Sequence, residues 1–322
     1  MRQLRLVFGA WWATLLRRLR KGPRRPGWGF VFEFVIELLR RDWQELRAWD
    51  APSVRRELSR KPMPKSATKR VRRAELDLDG VRAVDVTPPE LRTDVVILYL
   101  HGGSYLFGSP ETHADVAARH AIAAGARVVV PEYRLAPEHP YPAALDDAAR
   151  AFAALVRSGV PPERVAIVGE SAGGGLTVLL ALRLAAAGTP PRAIAALSPW
   201  MDLSASKPST ETQDDDYGDR DMLLAHARQF ASALPLDDPR VSPLFADLAG
   251  LPRTLVQVGT AERLLDEATA FAERAKSAGV DATLDLLPEM PHAPHLLAEW
   301  CGEGQRAIER AARFLTSSDS AR

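Results

Sequence analysis

Short apolar runs alternate with longer amphipathic segments along the chain from about residue 74 onward. Near-continuous apolar runs are typical of strands buried on both faces of a parallel sheet. They occur at 95–100, 127–130, 164–168, 193–197, 254–258 and 282–287. Alternating segments at 74–78 and 81–86, joined by Asp79-Gly80, predict an antiparallel pair at one edge.

Helical spacing of apolar residues fills the intervals between these strands. It is found at 111–124, 141–157, 172–187, 264–278 and 294–315. The order strand, helix, strand, helix predicts an α/β fold with a mostly parallel central sheet of about eight strands and helices on both of its faces.

Two stretches stand outside this alternation. They are residues 1–73 and an insertion at about 204–234, which is rich in Ser, Thr and Asp and contains three aspartates at 214–216. Additions to an α/β sheet tend to cover the carboxyl ends of its strands, where ligands bind. We therefore expect an N-terminal helical cap segment (1–73) and a catalytic domain (74–322) that carries a helical lid insertion.

The composition fits one large domain, with 322 residues of which 46% are hydrophobic and 26% charged. The single cysteine, Cys301, forms no internal disulfide, so a cytoplasmic location is the expectation. Gly173-Gly174-Gly175 lacks the Lys-Ser/Thr of a phosphate loop. We expect no nucleic-acid partner, cofactor or metal, and a homodimer is compatible with the sequence.

The net charge of +1 conceals a basic N-terminal region, because residues 1–73 hold 20 Lys/Arg and 6 Asp/Glu, a surplus of 14. An apolar run at 6–16 precedes six basic residues at 17–25. The run is shorter than the roughly 20 residues that span a bilayer, and the charges follow it, unlike those of a secretory signal. We expect a cap helix or tail with a solvated basic face; weak peripheral contact with anionic lipid is the alternative.

The strongest chemical signal is Gly169-Glu170-Ser171-Ala172-Gly173, which follows one predicted strand and begins the next helix. In this context G-x-S-x-G indicates a nucleophile elbow, a tight turn that lifts the serine oxygen into a cleft. Ser171 is therefore the candidate nucleophile.

A second signal, His101-Gly102-Gly103-Ser104, follows the strand at 95–100. Small residues there let backbone amides approach a substrate and stabilise a developing oxyanion. The predicted donors are the backbone N–H groups of Gly103, Ser104 and Ala172.

A serine hydroxyl requires a base, and the base requires a carboxylate that orients it. His292 and His295 follow the last strand; we assign His292 as the base and a structural role to His295. Glu262 is the first carboxylate after the strand at 254–258, and Asp202 is its rival. Helical placement favours solvated or packing roles for His113, His120 and His226, as does a proline-rich turn for His139.

Taken together, the motifs resemble those of the bacterial hormone-sensitive-lipase-like esterases, the GDXG group of lipolytic enzymes with the α/β-hydrolase fold. Beyond the two loops above, the resemblance rests on the segments at 133–138, 141–143, 197–200, 202–203, 241–244 and 290–292. It implies Ser171 as nucleophile, His292 as base and an oxyanion loop at 101–104. The chain departs from the usual pattern in having Ser104 for Gly, and Glu170 and Glu262 for Asp.

The resemblance implies hydrolysis of small to medium acyl esters, and the sequence itself does not name the substrate. A lactone hydrolase or a deacetylase of a secondary metabolite is the alternative. A non-catalytic binding module is a third reading, since the plant gibberellin receptor resembles this family but lacks the catalytic histidine. Here His292 is present.

Overall fold

A computed structural model describes residues 2–61, 65–212 and 219–317. The aspartates at 214–216 lie outside these residues. The strands of the sheet are β1 (Arg72–Asp77), β2 (Arg82–Thr87), β3 (Val96–Leu100), β4 (Arg127–Pro131), β5 (Val165–Glu170), β6 (Ala193–Leu197), β7 (Arg253–Gly259) and β8 (Ala282–Leu287).

The eight strands form one sheet in the order β1-β2-β4-β3-β5-β6-β7-β8. β2 pairs antiparallel with β1 and with β4, and all the other pairings are parallel. The β1–β2 turn has positive φ at both Asp79 (61°) and Gly80 (82°), as a two-residue type I′ hairpin requires. The predicted mostly parallel sheet and its antiparallel edge are confirmed.

The helices are α1 (Arg2–Lys21), α2 (Phe30–Leu46), α3 (Ala51–Arg60), α4 (Ala114–Ala124), α5 (Ala143–Arg157), α6 (Ala172–Ala186), α7 (Ser209–Thr212), α8 (Arg220–Ala231), α9 (Leu265–Ser277) and α10 (Gly302–Thr316). Side chains of α4 and α10 pack on one face of the sheet. Those of α5, α6 and α9 pack on the other. The apolar faces of neighbouring strands are thus covered on both sides, as the continuous apolar runs predicted.

The N-terminal helices pack on the sheet domain at two places. Trp28, Phe32 and Ile36 bury their side chains with residues of the β8–α10 region. Leu46, Ala51 and Val54 belong to the main core beneath the α5 and α6 side of the sheet. No helix within the described residues is long and apolar enough to cross a membrane.

Two sequence expectations differ from the structure. The helix predicted at 294–315 is two elements, a 3₁₀ turn (Pro294–Leu297) followed by α10, which begins at Gly302. The left-handed conformation of Ala293 (φ 48°) and the extended Cys301 interrupt the helical path there. The exposed surface of α1 is mainly apolar rather than basic: Leu4, Phe8 and Leu19 expose 76%, 65% and 75% of their surface, beside the exposed Arg5, Arg20 and Lys21.

Candidate active site

Ser171 lies in the sharp turn between the buried strand β5 and α6, with φ 56° and ψ −122°. This conformation is strained for a residue with a side chain, and the surrounding close packing maintains it. A Cβ atom at Gly169 would collide with the backbone of Gly173, and one at Gly173 with the backbone of Leu100. Glycine is therefore required at both positions, and the turn presents the Ser171 side chain to a cavity.

His292 lies in the loop after β8 and faces this serine. Its Nε2 atom is 3.0 Å from Ser171 Oγ, a hydrogen-bond distance. The side chain is 11% exposed, so the imidazole is largely shielded from water while its edge remains at the cavity.

Glu262 lies just after β7 and is completely buried. Its Oε1 is 3.6 Å from His292 Nδ1, so the carboxylate charge lies on the side of the ring opposite Ser171. Its Oε2 accepts hydrogen bonds from Ser198 Oγ (2.7 Å) and from the Gly259 backbone N–H (3.3 Å). The three predicted residues Ser171, His292 and Glu262 are thus brought together in line.

Ser198 is a site residue that the sequence analysis missed. It follows β6, is fully buried and has a positive φ of 43°. Its hydroxyl donates to Glu262 Oε2 and accepts from the Ala293 backbone N–H at 3.0 Å. The hydroxyl therefore connects the acid to the residue after His292. Its sequence signals are its place directly after a predicted central strand and within the segment at 197–200 that contributes to the family resemblance.

The rival acid Asp202 is engaged elsewhere. Its carboxylate accepts hydrogen bonds from Ser204 and Ser206, including their backbone N–H groups at 2.9 Å each, and so stabilises a turn after β6. His295, the rival base, is buried and its Nε2 lies 2.9 Å from Gln257 Oε1. Both side chains have partners in the surrounding structure rather than a position beside Ser171.

The loop at 101–104 follows β3 and lies beside Ser171 at the cavity. Gly103, Ser104 and Tyr105 all have positive φ values (114°, 56° and 62°), so Ser104 adopts a left-handed conformation that glycine adopts more readily. In the described part of the chain, the backbone N–H groups of Gly103, Ser104 and Ala172 donate to no protein acceptor. Gly103 and Ser104 line the same cavity as Ser171, so these donors are available to a bound substrate.

A buried carboxylate supports this loop from behind. Glu170 Oε1 accepts from the Gly102 backbone N–H and lies 2.9 Å from His113 Nε2, while Oε2 accepts from the Tyr99 hydroxyl at 2.5 Å. Burial alone raises the pKa of Glu170, but the His113 charge and these hydrogen bonds outweigh it and hold the pKa below its usual value. Glu170 is therefore an anion that fixes the position of the loop.

His113 and His101 complete this network. Of the two roles expected for His113, the solvated one is wrong, because this residue before α4 is 8% exposed; its ring packs on His101 and also pairs with Glu170. His101 is fully buried, and its ring stacks on Tyr133 with 4.2 Å between centroids. Burial lowers the pKa of His101 to about 3, so it is neutral at physiological pH.

The cavity above Ser171 has a volume of about 220 Å³. Trp43 and Leu58 contribute to its wall from the N-terminal helices, and Met222, Leu223 and His226 from α8. Burial lowers the pKa of His226 to about 4, so this side chain is neutral in the wall. Among residues 2–61, 65–212 and 219–317, no three His, Cys, Asp or Glu side chains converge as a metal site.

Known proteins share this arrangement of sequence and fold. The family model described as alpha/beta hydrolase fold matches residues 97–296. An acetyl-hydrolase of Streptomyces hygroscopicus is 43% identical over 229 residues, which cover 69% of this chain and 75% of the relative. An esterase of Acinetobacter venetianus is 34% identical over 260 residues, or 80% and 85% of the two chains.

The solved structures lead to the same family. The crystal structure of an esterase from the bacterial hormone-sensitive lipase (HSL) family is similar, with a TM-score of 0.80 and 38% sequence identity. The match covers 87% of this chain and 97% of that one. Extensive coverage on both sides means that the likeness includes the whole fold rather than a shared fragment. The chain belongs to the bacterial hormone-sensitive-lipase-like esterases, α/β-hydrolases that act on carboxylic ester bonds.

Proposed function

We propose that this ester hydrolase works through a triad of Ser171, His292 and Glu262. The observation that carries the proposal is the 3.0 Å contact between Ser171 Oγ and His292 Nε2, beside backbone N–H groups that donate to no acceptor among the described residues. A nucleophile, a base and oxyanion donors around one cavity are the minimum equipment for acyl transfer.

In the proposed acylation step, Ser171 Oγ attacks the ester carbonyl carbon while His292 Nε2 accepts the hydroxyl proton. The carbonyl oxygen becomes an oxyanion, which the N–H groups of Gly103, Ser104 and Ala172 stabilise. The carbon–oxygen bond of the ester then breaks, and the imidazolium returns its proton to the leaving alcohol. The acyl group remains on Ser171.

Deacylation repeats the sequence with water as nucleophile. His292 removes a proton from the water, the resulting hydroxide attacks the acyl carbon, and the proton passes to Ser171 Oγ as the carboxylic acid leaves. Glu262 stabilises the imidazolium formed in both steps. In the resting geometry Glu262 Oε1 lies 3.6 Å from His292 Nδ1, which is longer than a hydrogen bond, so Glu262 stabilises the imidazolium through its charge.

The cavity wall supports small to medium acyl esters as substrates. Its volume of about 220 Å³ lies below the roughly 300–1,000 Å³ of sites for drug-sized ligands. Apolar side chains such as Trp43, Leu58 and Leu223 dominate the part above the nucleophile. We assign a lid role to segments 1–73 and about 204–234, because these side chains come from the helices within them.

A deacetylase of a secondary metabolite is the second candidate, and a lactone hydrolase is the other alternative. The name of the Streptomyces hygroscopicus relative, an acetyl-hydrolase, favours this candidate. The two candidates differ in the size of the acyl group that they accept. A deacetylase accepts only the shortest acyl group but tolerates a large alcohol, whereas the first candidate accepts acyl groups of small to medium size.

A panel of p-nitrophenyl esters from acetate to palmitate separates the candidates. We expect kcat/KM to be highest for acyl chains of about C4 to C8 and to fall steeply for longer chains, because a cavity of about 220 Å³ cannot hold a long acyl chain. A maximum at acetate, together with hydrolysis of bulky secondary acetates, would replace the proposal with the deacetylase. A set of lactones completes the panel and tests the lactone hydrolase.

The nucleophile is tested by covalent labelling. An organophosphate should modify Ser171, identified by peptide mass spectrometry, and Ser171→Ala should abolish both labelling and turnover. Ser277→Ala is the matched control, because Ser277 is exposed in α9 and its hydroxyl donates to the Glu273 backbone, so labelling of Ser171 and turnover should equal those of the wild type. Turnover by Ser171→Ala above about a thousandth of the wild-type rate would contradict the assignment.

A further inference from the structure

The helix α1 has two apolar faces, and only one of them is covered. Leu6, Ala10 and Thr14 are buried on the side that packs against α2. The opposite side, which we call the outer face, exposes large apolar side chains over the length of the helix. They are Leu4, Val7, Phe8, Trp11, Trp12, Leu16 and Leu19, each at least 41% exposed.

The outer face is a continuous surface rather than a set of scattered residues. Positions separated by three and four residues lie on one side of a helix, so these side chains are neighbours. Trp12 makes edge contacts with Phe8 (6.0 Å between centroids) and with Trp11 (5.0 Å). The surface meets α2 at Phe30, whose ring makes an edge contact with Trp11 (6.4 Å between centroids). Contiguous apolar surfaces of this kind mark protein or membrane contacts.

Positive charge is concentrated at the carboxyl end of α1. Arg17 and Arg18 both pair with Glu33, so a single carboxylate meets two guanidinium groups. Arg20 and Lys21 are exposed in the last turn of α1. The region therefore offers excess positive charge beside two tryptophans, a residue type enriched at membrane–water interfaces.

We propose that the outer face of α1 docks this esterase on an anionic lipid surface, with the helix lying in the plane of the headgroups. The apolar side chains enter the interface, and Arg20 and Lys21 approach lipid phosphates. Attachment of the opposite side to α2 keeps the helix parallel to the surface. Because α1 and α2 both lie within the N-terminal 73 residues, docking places this segment, rather than the sheet, beside the lipid.

Charge decides between lipid and a second copy of the chain. A two-fold contact through the outer face would either bring the two basic ends together, where like charges oppose it, or, in an antiparallel arrangement, place each basic end against an apolar face that offers no acid. An anionic bilayer complements both the apolar side chains and the positive charge. The proposal concerns the cap surface and does not depend on the catalytic triad.

Vesicle flotation of the full chain tests the proposal. The probes are vesicles of phosphatidylcholine alone and of phosphatidylcholine with about 30% phosphatidylglycerol. We expect binding to the anionic vesicles that weakens in 0.5 M salt, and a partition coefficient about 100-fold lower for the triple variant Leu4→Ser/Phe8→Ser/Leu19→Ser. The double variant Arg20→Gln/Lys21→Gln should bind anionic and neutral vesicles equally.

The matched control replaces exposed apolar residues elsewhere, Leu91→Ser/Leu286→Ser, which are 54% and 46% exposed. It should bind like the wild type. Circular dichroism and hydrolysis of p-nitrophenyl butyrate, a water-soluble ester, should be unchanged in the triple variant, because none of its residues lines the cavity.

Light scattering gives the oligomeric state. A wild-type dimer that the triple variant converts to a monomer, without vesicle binding by either, would assign the face to self-association. Absence of binding by a monomeric wild type would also overturn the proposal.

Discussion

The sequence left open whether Glu262 or Asp202 is the acid that orients His292. In the structure the carboxylate of Glu262 lies beside His292. Its burial and its distance of 3.6 Å from His292 Nδ1 mean that it can stabilise an imidazolium with little screening by water. Asp202 is equally buried, yet its oxygens are taken by Ser204 and Ser206. The two acids therefore differ in what their removal should do.

We expect Glu262→Gln to lower kcat by about 10³- to 10⁴-fold with a modest change in KM. The amide keeps the shape, but it removes the charge and permits the wrong imidazole tautomer. Glu262→Asp should fall between, because the shorter side chain keeps the charge and misplaces it. The measurement is steady-state kinetics on p-nitrophenyl butyrate.

Asp202→Asn is the control for this prediction. The variant should have a lower melting temperature, because the Asp202 carboxylate stabilises the turn after β6 by accepting hydrogen bonds from Ser204 and Ser206. Its kcat per folded molecule should stay close to that of the wild type. A large loss of kcat there, with Glu262→Gln near the wild type and both variants folded, would move the acid to Asp202.

At the scale of the elements, the loops after β6, β7 and β8 meet at a single hydroxyl. Ser198 follows β6, donates to Glu262 after β7 and accepts from Ala293 in the loop after β8. Parallel strands bring their carboxyl ends to one edge, and this hydroxyl fixes the three loops relative to one another.

Ser198→Ala should therefore affect the rate more than substrate binding. The substitution leaves the Ala293 N–H and one Glu262 oxygen without this partner, at a cost of about 1–3 kcal/mol each in a buried site. We expect kcat to fall about 10- to 100-fold with KM nearly constant. Ser277→Ala, an exposed serine whose hydroxyl bonds only to the Glu273 backbone, is the control. Equal kinetics for Ser198→Ala and the wild type would show that the connection is dispensable.

The sequence predicted those elements whose signals are local. The buried strands and the turn at Ser171 follow from continuous apolar runs and from glycines at close approaches. Ser198 and His113 escaped prediction because their partners lie 64 and 57 positions away, and no local pattern encodes such contacts. The helix predicted at 294–315 was too long because apolar spacing continues through a region where the backbone turns.

At the scale of the whole molecule, one buried carboxyl should control the pH dependence of stability. Glu267 in α9 is fully buried, and burial raises its pKa well above the usual value despite hydrogen bonds from the Met201 and Asp202 backbones. The folded protein thus retains this proton over a range where the unfolded chain has lost it. The contribution to stability is complete below the unfolded pKa and is lost as the pH rises towards the folded value.

Glu267→Gln should remove this dependence, since an amide does not ionise. We expect the melting temperature of the variant, relative to the wild type, to rise steadily between pH 5 and pH 9. Glu273→Gln on the exposed side of the same helix should follow the wild type. Thermal unfolding monitored by circular dichroism at several pH values provides the measurement, and a constant difference across the range would contradict it.

The N-terminal region shows what composition alone conceals. A surplus of 14 positive charges led to the expectation of a solvated basic face, because residue counts carry no directional information. In the structure the acids of α2 and α3 take up several of these charges; Arg2, for example, pairs with Asp42, Glu45 and Glu57. Because such pairs turn these basic side chains towards the acids of α2 and α3, much of the exposed surface of α1 is left to apolar side chains.

The wall of the cavity comes from two segments that are far apart in the sequence. Trp43 and Leu58 belong to the first 61 residues, whereas Met222 and Leu223 belong to α8. Neither segment supplies the proposed nucleophile, base or acid. Recombination or point mutation in either segment can therefore explore new substrates without disturbing the reaction centre. In evolutionary terms, the chain separates a region that is free to diversify from one that purifying selection must hold constant.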